Sequence, residues 1–160
     1  MKRKALAITL AAVMAMGTCA VTASAADGDT YTIGICQLVQ HVALDAATQG
    51  FKDEVTKELG EDAVTFDEQN AQGDSNTCST IVNSFVSNNV DLILANATPA
   101  LQAAAAGTSD IPILGTSVTE YGVALGLDDF DGTVGGNISG TADLAPLDEQ
   151  AAMLNELFPD

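Results

Sequence analysis

The sequence has no tryptophan, one histidine, and five lysine and arginine residues against 22 aspartate and glutamate residues. Three of the five basic residues are among the first four, which leaves Lys52 and Lys57 for the rest of the chain. Such a chain has nothing with which to neutralise phosphates or to dock on an anionic membrane surface. We therefore expect no nucleic-acid partner. Without tryptophan, it also lacks the stacking platform that is common in sugar sites.

The motifs that mark common catalytic and cofactor sites are missing as well. The sequence contains no G-x-S-x-G, no G-x-x-x-x-G-K-[ST], and no G-x-G-x-x-G after its first predicted strand. A His-rich metal site is excluded, and a Ser-His-Asp triad would have to use His41, the single histidine. His41 either faces a ligand or is a polar residue near a helix start. We expect no enzyme activity, no cofactor and no metal.

The N-terminus has the layout of a secretory signal peptide. Three basic residues precede an apolar stretch at 5–16, and Ala23, Ser24 and Ala25 form a small-x-small cleavage site. Residues 1–25 are therefore predicted to be removed, leaving an exported chain of residues 26–160. Two alternatives stay open: a membrane-anchoring helix, and a lipoprotein anchored at Cys19.

Short apolar segments alternate with helical periodicity along the exported chain. The strands are predicted at 31–36, 63–66, 90–95 and 111–115, with a weak one at 125–127, and the helices at 44–59, 78–86, 99–106 and 147–158. Thr98 is the predicted N-cap of the third helix, and Pro99 its first residue. This alternation predicts an α/β fold with a doubly wound parallel sheet, Rossmann-like or flavodoxin-like, in the strand order 2-1-3-4.

In such sheets the ligand site lies beyond the carboxyl ends of the strands. That rule selects four loops, at residues 37–41, 68–74, 96–99 and 116–122. Thr98 and Pro99 open a helix, whose free N–H groups bind a carboxylate without a lysine or arginine. The hydroxyl residues at 116–119 suit an uncharged or zwitterionic ligand. The alternative is that Thr98, Ser117 and Thr119 only cap the helix or form turns.

Five ordered segments carry a family resemblance. They are IGICQLVQHVALDAATQGFKD (33–53), NAQGD (70–74), ATPALQAAA (97–105), DIPILGTSVTE (110–120) and GGNISGTAD (135–143), with Gln150 following. Together they resemble the ABC transporter substrate-binding proteins of the tryptophan/tyrosine-type group.

The resemblance implies a type I periplasmic-binding-protein fold, in which two α/β lobes hold an amino-acid-like solute and deliver it to an ABC permease. This chain corresponds to the N-terminal lobe, either as a fragment or as a one-lobed protein. The implied ligand contacts are Gln37, Leu38, Thr98, Pro99, Ser117, Val118 and Thr119, with Asp143 near the crossing to the second lobe.

Three positions depart from the family pattern. Val42 replaces a proline, Glu120 and Tyr121 replace an Asp-Pro pair, and Cys36 stands where threonine is common. Tyr121 is therefore a candidate aromatic wall of a changed ligand site. Two other functions stay open, a secreted or membrane-tethered interaction domain without a solute and a secreted α/β enzyme.

The predicted strand order also brings two cysteines together. Cys36 lies at the carboxyl end of the first strand, and Cys78 lies one turn into the helix that crosses above it. The pair is predicted to be either a disulfide, which export permits, or two small buried side chains.

The first prediction concerns export. We expect cleavage after Ala25, so that the exported protein begins at Ala26, because the basic residues and the Ala-Ser-Ala site match the signal-peptide pattern. N-terminal sequencing of the secreted protein measures this directly. A lipid-blocked N-terminus at Cys19 would contradict it and place the protein at the membrane.

Overall fold

The structure is a computed structural model that describes residues 30–158, and the predicted signal peptide lies outside them. The described chain forms a parallel β-sheet, five α-helices and a short 3-10 helix, Glu61–Ala63. The strands are β1 (Tyr31–Gln37), β2 (Val64–Asn70), β3 (Leu92–Asn96), β4 (Ile113–Val118) and β5 (Ile138–Ala142). The helices are α1 (Val42–Leu59), α2 (Ser75–Ser87), α3 (Thr98–Gly107), α4 (Tyr121–Leu125) and α5 (Leu147–Leu157).

The strands pair in parallel in the order β2-β1-β3-β4-β5. The predicted order of the first four strands is therefore confirmed, as is the α/β class. Because β1 lies between β2 and β3, the chain reverses its direction of travel across the sheet at the β1–β3 pair. Parallel strands need crossover connections, which cover both faces of the sheet with helices.

The larger core lies between the sheet and helices α2 and α3. Phe85, Leu101 and Ile93 are all fully buried there. Gly34 in β1 lets Phe85 approach, because a Cβ atom at position 34 would lie 2.7 Å from the phenyl ring. A small residue at the centre of β1 therefore determines how closely α2 packs on the sheet.

The smaller core lies on the opposite face, under α1. Ile33, Ile35 and Leu94 point to this side, and Phe51 and Val55 of α1 pack on them. Residues of β1 are thus buried on both faces, which explains its continuous apolar sequence.

One predicted strand is wrong. Leu125 is the last residue of a short helix, Tyr121–Leu125, and Gly126 caps this helix in a left-handed conformation with φ 64°. The fifth strand is instead Ile138–Ala142, whose side chains are exposed after Ile138. Its sequence, ISGTA, lacks the apolar run of a buried strand, so periodicity alone does not reveal it.

The predicted final helix is confirmed as α5, and none of its residues is buried. Its large apolar side chains are exposed, among them Leu147, Leu154 and Leu157. Within residues 30–158, the longest and most apolar helices fall short of what crossing a membrane requires.

The two cysteines meet in the larger core, as their predicted proximity requires. Cys36 and Cys78 are fully buried free thiols of the same core cluster. Burial raises the pKa of both thiols, with the neighbouring Cys78 adding to the effect at Cys36. Both thiols therefore stay protonated and unreactive at neutral pH in the folded protein. The disulfide stays a prediction.

The second prediction decides between the two states of this pair. If the disulfide forms during export, the Cys36 and Cys78 peptides of the unfolded, unreduced protein resist alkylation. Closing this loop would add about 3–4 kcal/mol to the free energy of unfolding in the chain-entropy model. Mass spectrometry of the two peptides, before and after reduction, is the measurement. Full alkylation of both without reductant would show two buried thiols instead.

Candidate functional site

The loops after β1, β3, β4 and β5 meet at one edge of the sheet, where main-chain hydrogen bonds join each to the next. Leu38 N–H donates to the Asn96 carbonyl at 3.2 Å, and Ala97 N–H donates to the Thr116 carbonyl at 3.0 Å. Asp143 N–H donates to the Val118 carbonyl at 3.0 Å. We call this row of loops the carboxyl edge.

The loop after β2 is hydrogen-bonded to the same edge. Ala71 N–H donates to the Gln37 carbonyl at 2.9 Å, and Gly73 N–H donates to the Leu38 carbonyl at 2.8 Å. Asp74 then caps α2, because its carboxylate accepts from Asn76 N–H at 2.7 Å. The four predicted loops therefore form one continuous surface.

Helix α3 begins at the middle of the carboxyl edge. The predicted N-cap, Thr98, is wrong: Thr98 is already helical, and Ala97 occupies the cap position without a side-chain hydrogen bond. Pro99 is the second residue of the helix, one position later than predicted, and Thr98 and Pro99 are half-buried. The first N–H groups of a helix have no acceptor within it, so this end favours an anion.

Two residues at the carboxyl edge have unusual backbone conformations. Ala97 has φ 91° and Ser117 has φ 56°, values that residues other than glycine rarely adopt. Such conformations cost about 1–3 kcal/mol each and cluster at ligand sites. Both residues lie in segments that the sequence predicts to bind a ligand, although Ser117 belongs to the end of β4 in the structure.

The side chain of Gln37 points away from this surface. Its amide nitrogen donates to the Asp45 carboxylate at 2.6 Å and to the Val39 carbonyl at 3.0 Å, and its amide oxygen accepts from Thr48 at 2.7 Å. With 4% of its surface exposed, Gln37 holds the start of α1. A direct solute contact at Gln37 stays a prediction, and its polar side-chain atoms are already bonded.

The other predicted contacts differ in exposure. Thr119 and Asp143 are exposed, Leu38 and Ser117 are half-buried, and Val118 is fully buried. The side chain of Val118 therefore lies in the core, and only its main-chain atoms take part in the carboxyl edge.

Tyr121 belongs largely to the core. It is 6% exposed, and its hydroxyl donates to the Thr141 carbonyl at 3.3 Å. Burial raises its pKa, so the phenol stays protonated at neutral pH. Gly115 and Gly140 leave the space for the hydroxyl, since a Cβ atom at either position would clash with it. Tyr121 thus joins the start of α4 to β5, and a role as aromatic wall stays a prediction.

A cavity of about 490 Å³ lies beside Tyr121, between α4 and β5. Thr119 and Tyr121 are the only predicted site residues that line it, while Phe130, Val134 and Leu144 give it an apolar wall. Thr98 and Pro99 do not line it. The predicted residues are thus divided between the start of α3 and this cavity.

The charged groups near the edge are mostly engaged within the protein. Glu120 accepts from the N–H groups of Gly122 and Val123 and so caps α4. His41 caps α1, because its Nδ1 accepts from Ala43 N–H at 3.2 Å. This favours the structural interpretation of His41.

The only two bases of the described chain lie on α1, away from α3. Lys52 pairs with Glu68 and Lys57 with Glu54, at 2.8 and 2.7 Å. Residues 30–158 contain no group of three His, Cys, Asp or Glu side chains placed to hold a metal ion. A solute carboxylate at this edge would therefore be bound by N–H and hydroxyl groups.

A family model described as "ABC transporter substrate binding protein" matches residues 32–160. The chain belongs to the ABC transporter substrate-binding protein family. The resemblance expected from the sequence is thereby confirmed.

Three relatives are similar to this substrate-binding protein. The tyrosine-binding protein of Clostridioides difficile strain R20291 is 43% identical over 131 residues, which are 79% of this chain and 37% of the relative. A ligand-free, open structure of a substrate binding protein with adhesive properties from Clostridium difficile is 41% identical with a TM-score of 0.71, over 81% of this chain and 44% of that one.

The third is an ABC domain in complex with L-Trp from Streptococcus pneumoniae. It is 30% identical with a TM-score of 0.71, over 79% of this chain and 43% of that one. This substrate-binding protein thus spans less than half the length of these relatives.

The third prediction tests the backbone conformation at the carboxyl edge. Ala97→Gly should raise the free energy of unfolding by about 1 kcal/mol, because relief of the φ 91° conformation exceeds the added flexibility of glycine. Ala95→Gly, in the strand that precedes Ala97, is the control and should lower it by about 1 kcal/mol. Urea denaturation measures both. Equal losses in the two variants would show that Ala97 is not strained.

Proposed function

We propose that this chain is the N-terminal solute-binding lobe of an extracytoplasmic component of an ABC importer. It binds an amino acid, with an aromatic one favoured, and a second lobe closes over the solute before delivery to the permease. Three things support the proposal: the family, the names of its tyrosine-binding and L-Trp-bound relatives, and the chemistry of the carboxyl edge.

The start of α3 is the observation that carries the proposal. Its first-turn N–H groups and the hydroxyl of Thr98 suit a carboxylate, and the bond from Ala97 N–H to the Thr116 carbonyl links this end of α3 to the segment that carries Ser117. Asp143 adds an exposed carboxylate beside the loop after β4, which suits an ammonium group. The carboxylate and the ammonium group of a zwitterionic amino acid thus each have a group at this edge that suits them.

A second candidate is an interaction domain without a solute. The exposed apolar residues of α5 favour it, because an amphipathic helix without buried residues is a typical contact surface. An enzyme activity has no comparable support from the described residues, since the single histidine is bonded as a helix cap.

Calorimetry with the protein produced from its complete gene separates these candidates. Each of the common amino acids is titrated singly, with glucose as an unrelated solute. We expect tyrosine or tryptophan to bind and glucose to give no heat. An absence of binding by every amino acid would contradict the proposal and favour the interaction domain.

The fourth prediction locates the solute on this edge. In that protein, Thr98→Ala and Ser117→Ala should each weaken amino-acid binding by about 1–3 kcal/mol, because each removes a hydrogen-bond partner of a buried ligand. The melting temperature should change little, since both residues are only half-buried.

Ser87→Ala is the matched control, because Ser87 is exposed at the far end of α2. Its binding should equal that of the parent. If Thr98→Ala and Ser117→Ala bound like the parent while melting much lower, the two residues would be cap and turn residues only.

A further inference from the structure

Three buried polar side chains lie together beneath the carboxyl edge. Gln37 of β1, Thr48 of α1 and Asn96 of β3 are 4%, 3% and 0% exposed. We call them the amide–hydroxyl cluster. Gln37 and Asn96 are the last pair in the register of β1 with β3. The cluster therefore lies where the strand order reverses, the place where ligands bind in open α/β sheets.

Thr48 is the centre of the cluster. Its hydroxyl donates to the Gln37 amide oxygen at 2.7 Å and accepts from the Asn96 amide nitrogen at 2.9 Å. The Asn96 nitrogen also donates to the Leu44 carbonyl at 2.9 Å. These acceptors fix the orientation of the Asn96 amide, because only its nitrogen suits them. The cluster therefore ties the first turns of α1 to the ends of two strands.

The main chain links the cluster to the solute site. The Asn96 carbonyl accepts from Leu38 N–H, and the next residue is Ala97, which has φ 91° and donates to Thr116. Helix α3 begins at Thr98, immediately afterwards. The direction in which α3 leaves the sheet thus depends on where Asn96 is held.

We propose that Thr48 and Asn96 are positioning residues of the solute site, which set the start of α3 and the loop after β1 without touching the solute. This rests on the proposed function. Neither side chain reaches the surface, and Thr48 lies in the second turn of α1, so an effect on binding has to pass through the cluster.

The test compares two substitutions at one position. Thr48→Val keeps the shape and removes the hydroxyl, whereas Thr48→Ser keeps the hydroxyl. Ile93→Val is the control for lost stability, because Ile93 is buried in β3 but faces the opposite side of the sheet. The readouts are the dissociation constant for tyrosine or tryptophan, the melting temperature, and amide hydrogen exchange of Ala97 and Leu101 in the free protein.

We expect Thr48→Val to weaken binding about tenfold and to speed exchange at both amides, by the loss of one buried hydrogen-bond partner. Thr48→Ser and Ile93→Val should bind like the parent. The proposal would be overturned if Thr48→Val bound the amino acid as tightly as the parent. It would also be overturned if Ile93→Val lost affinity in proportion to its lower melting temperature, as Thr48→Val does.

The exchange measurement separates this proposal from the proposed function. If the parent bound no amino acid, the proposed function would fail, and faster exchange at Ala97 and Leu101 in Thr48→Val alone would still support the positioning role. Unchanged exchange in Thr48→Val would overturn it.

Discussion

The pairing of β1 with β3 is the constraint on which the rest of the lobe depends. It puts a reversal of strand order in the middle of the sheet, buries β1 on both faces, and brings Gln37 opposite Asn96. The loops that follow these strands are then joined by the bond from Leu38 to the Asn96 carbonyl. The polar loops form one connected edge because the strands that they follow end at the same level of the sheet.

The chain is acidic, yet its carboxyl edge can still accept a solute carboxylate, because several Asp and Glu side chains near the edge are hydrogen-bonded within the protein. Asp74 and Glu120 cap helices, and Asp45 accepts from Gln37. With no lysine or arginine on α3, an anionic group there relies on helix N–H groups, whose partial charge falls off within one turn. Such an edge suits a zwitterion better than a polyanion.

Apolar patterning was enough to predict the first four strands, because buried parallel strands are largely apolar. The strand order and the helices on both faces followed from the alternation of strands and helices. The fifth strand was missed because its residues after Ile138 are exposed and carry no burial signal. At the site, the loops were predictable from the topology, but side-chain directions were not. The Gln37 side chain points inward to Thr48, and the Tyr121 side chain fills the space above two glycines. The spacing of residues along the sequence predicts neither orientation.

The central claim is that an amino acid binds at the carboxyl edge beside the start of α3. A crystal structure of the protein from its complete gene, grown with tyrosine or tryptophan, tests it most directly. We expect the ligand carboxylate to lie within hydrogen-bond distance of the first-turn N–H groups of α3 and the Thr98 hydroxyl. A ligand seated instead in the cavity between α4 and β5, with α3 untouched, would contradict it.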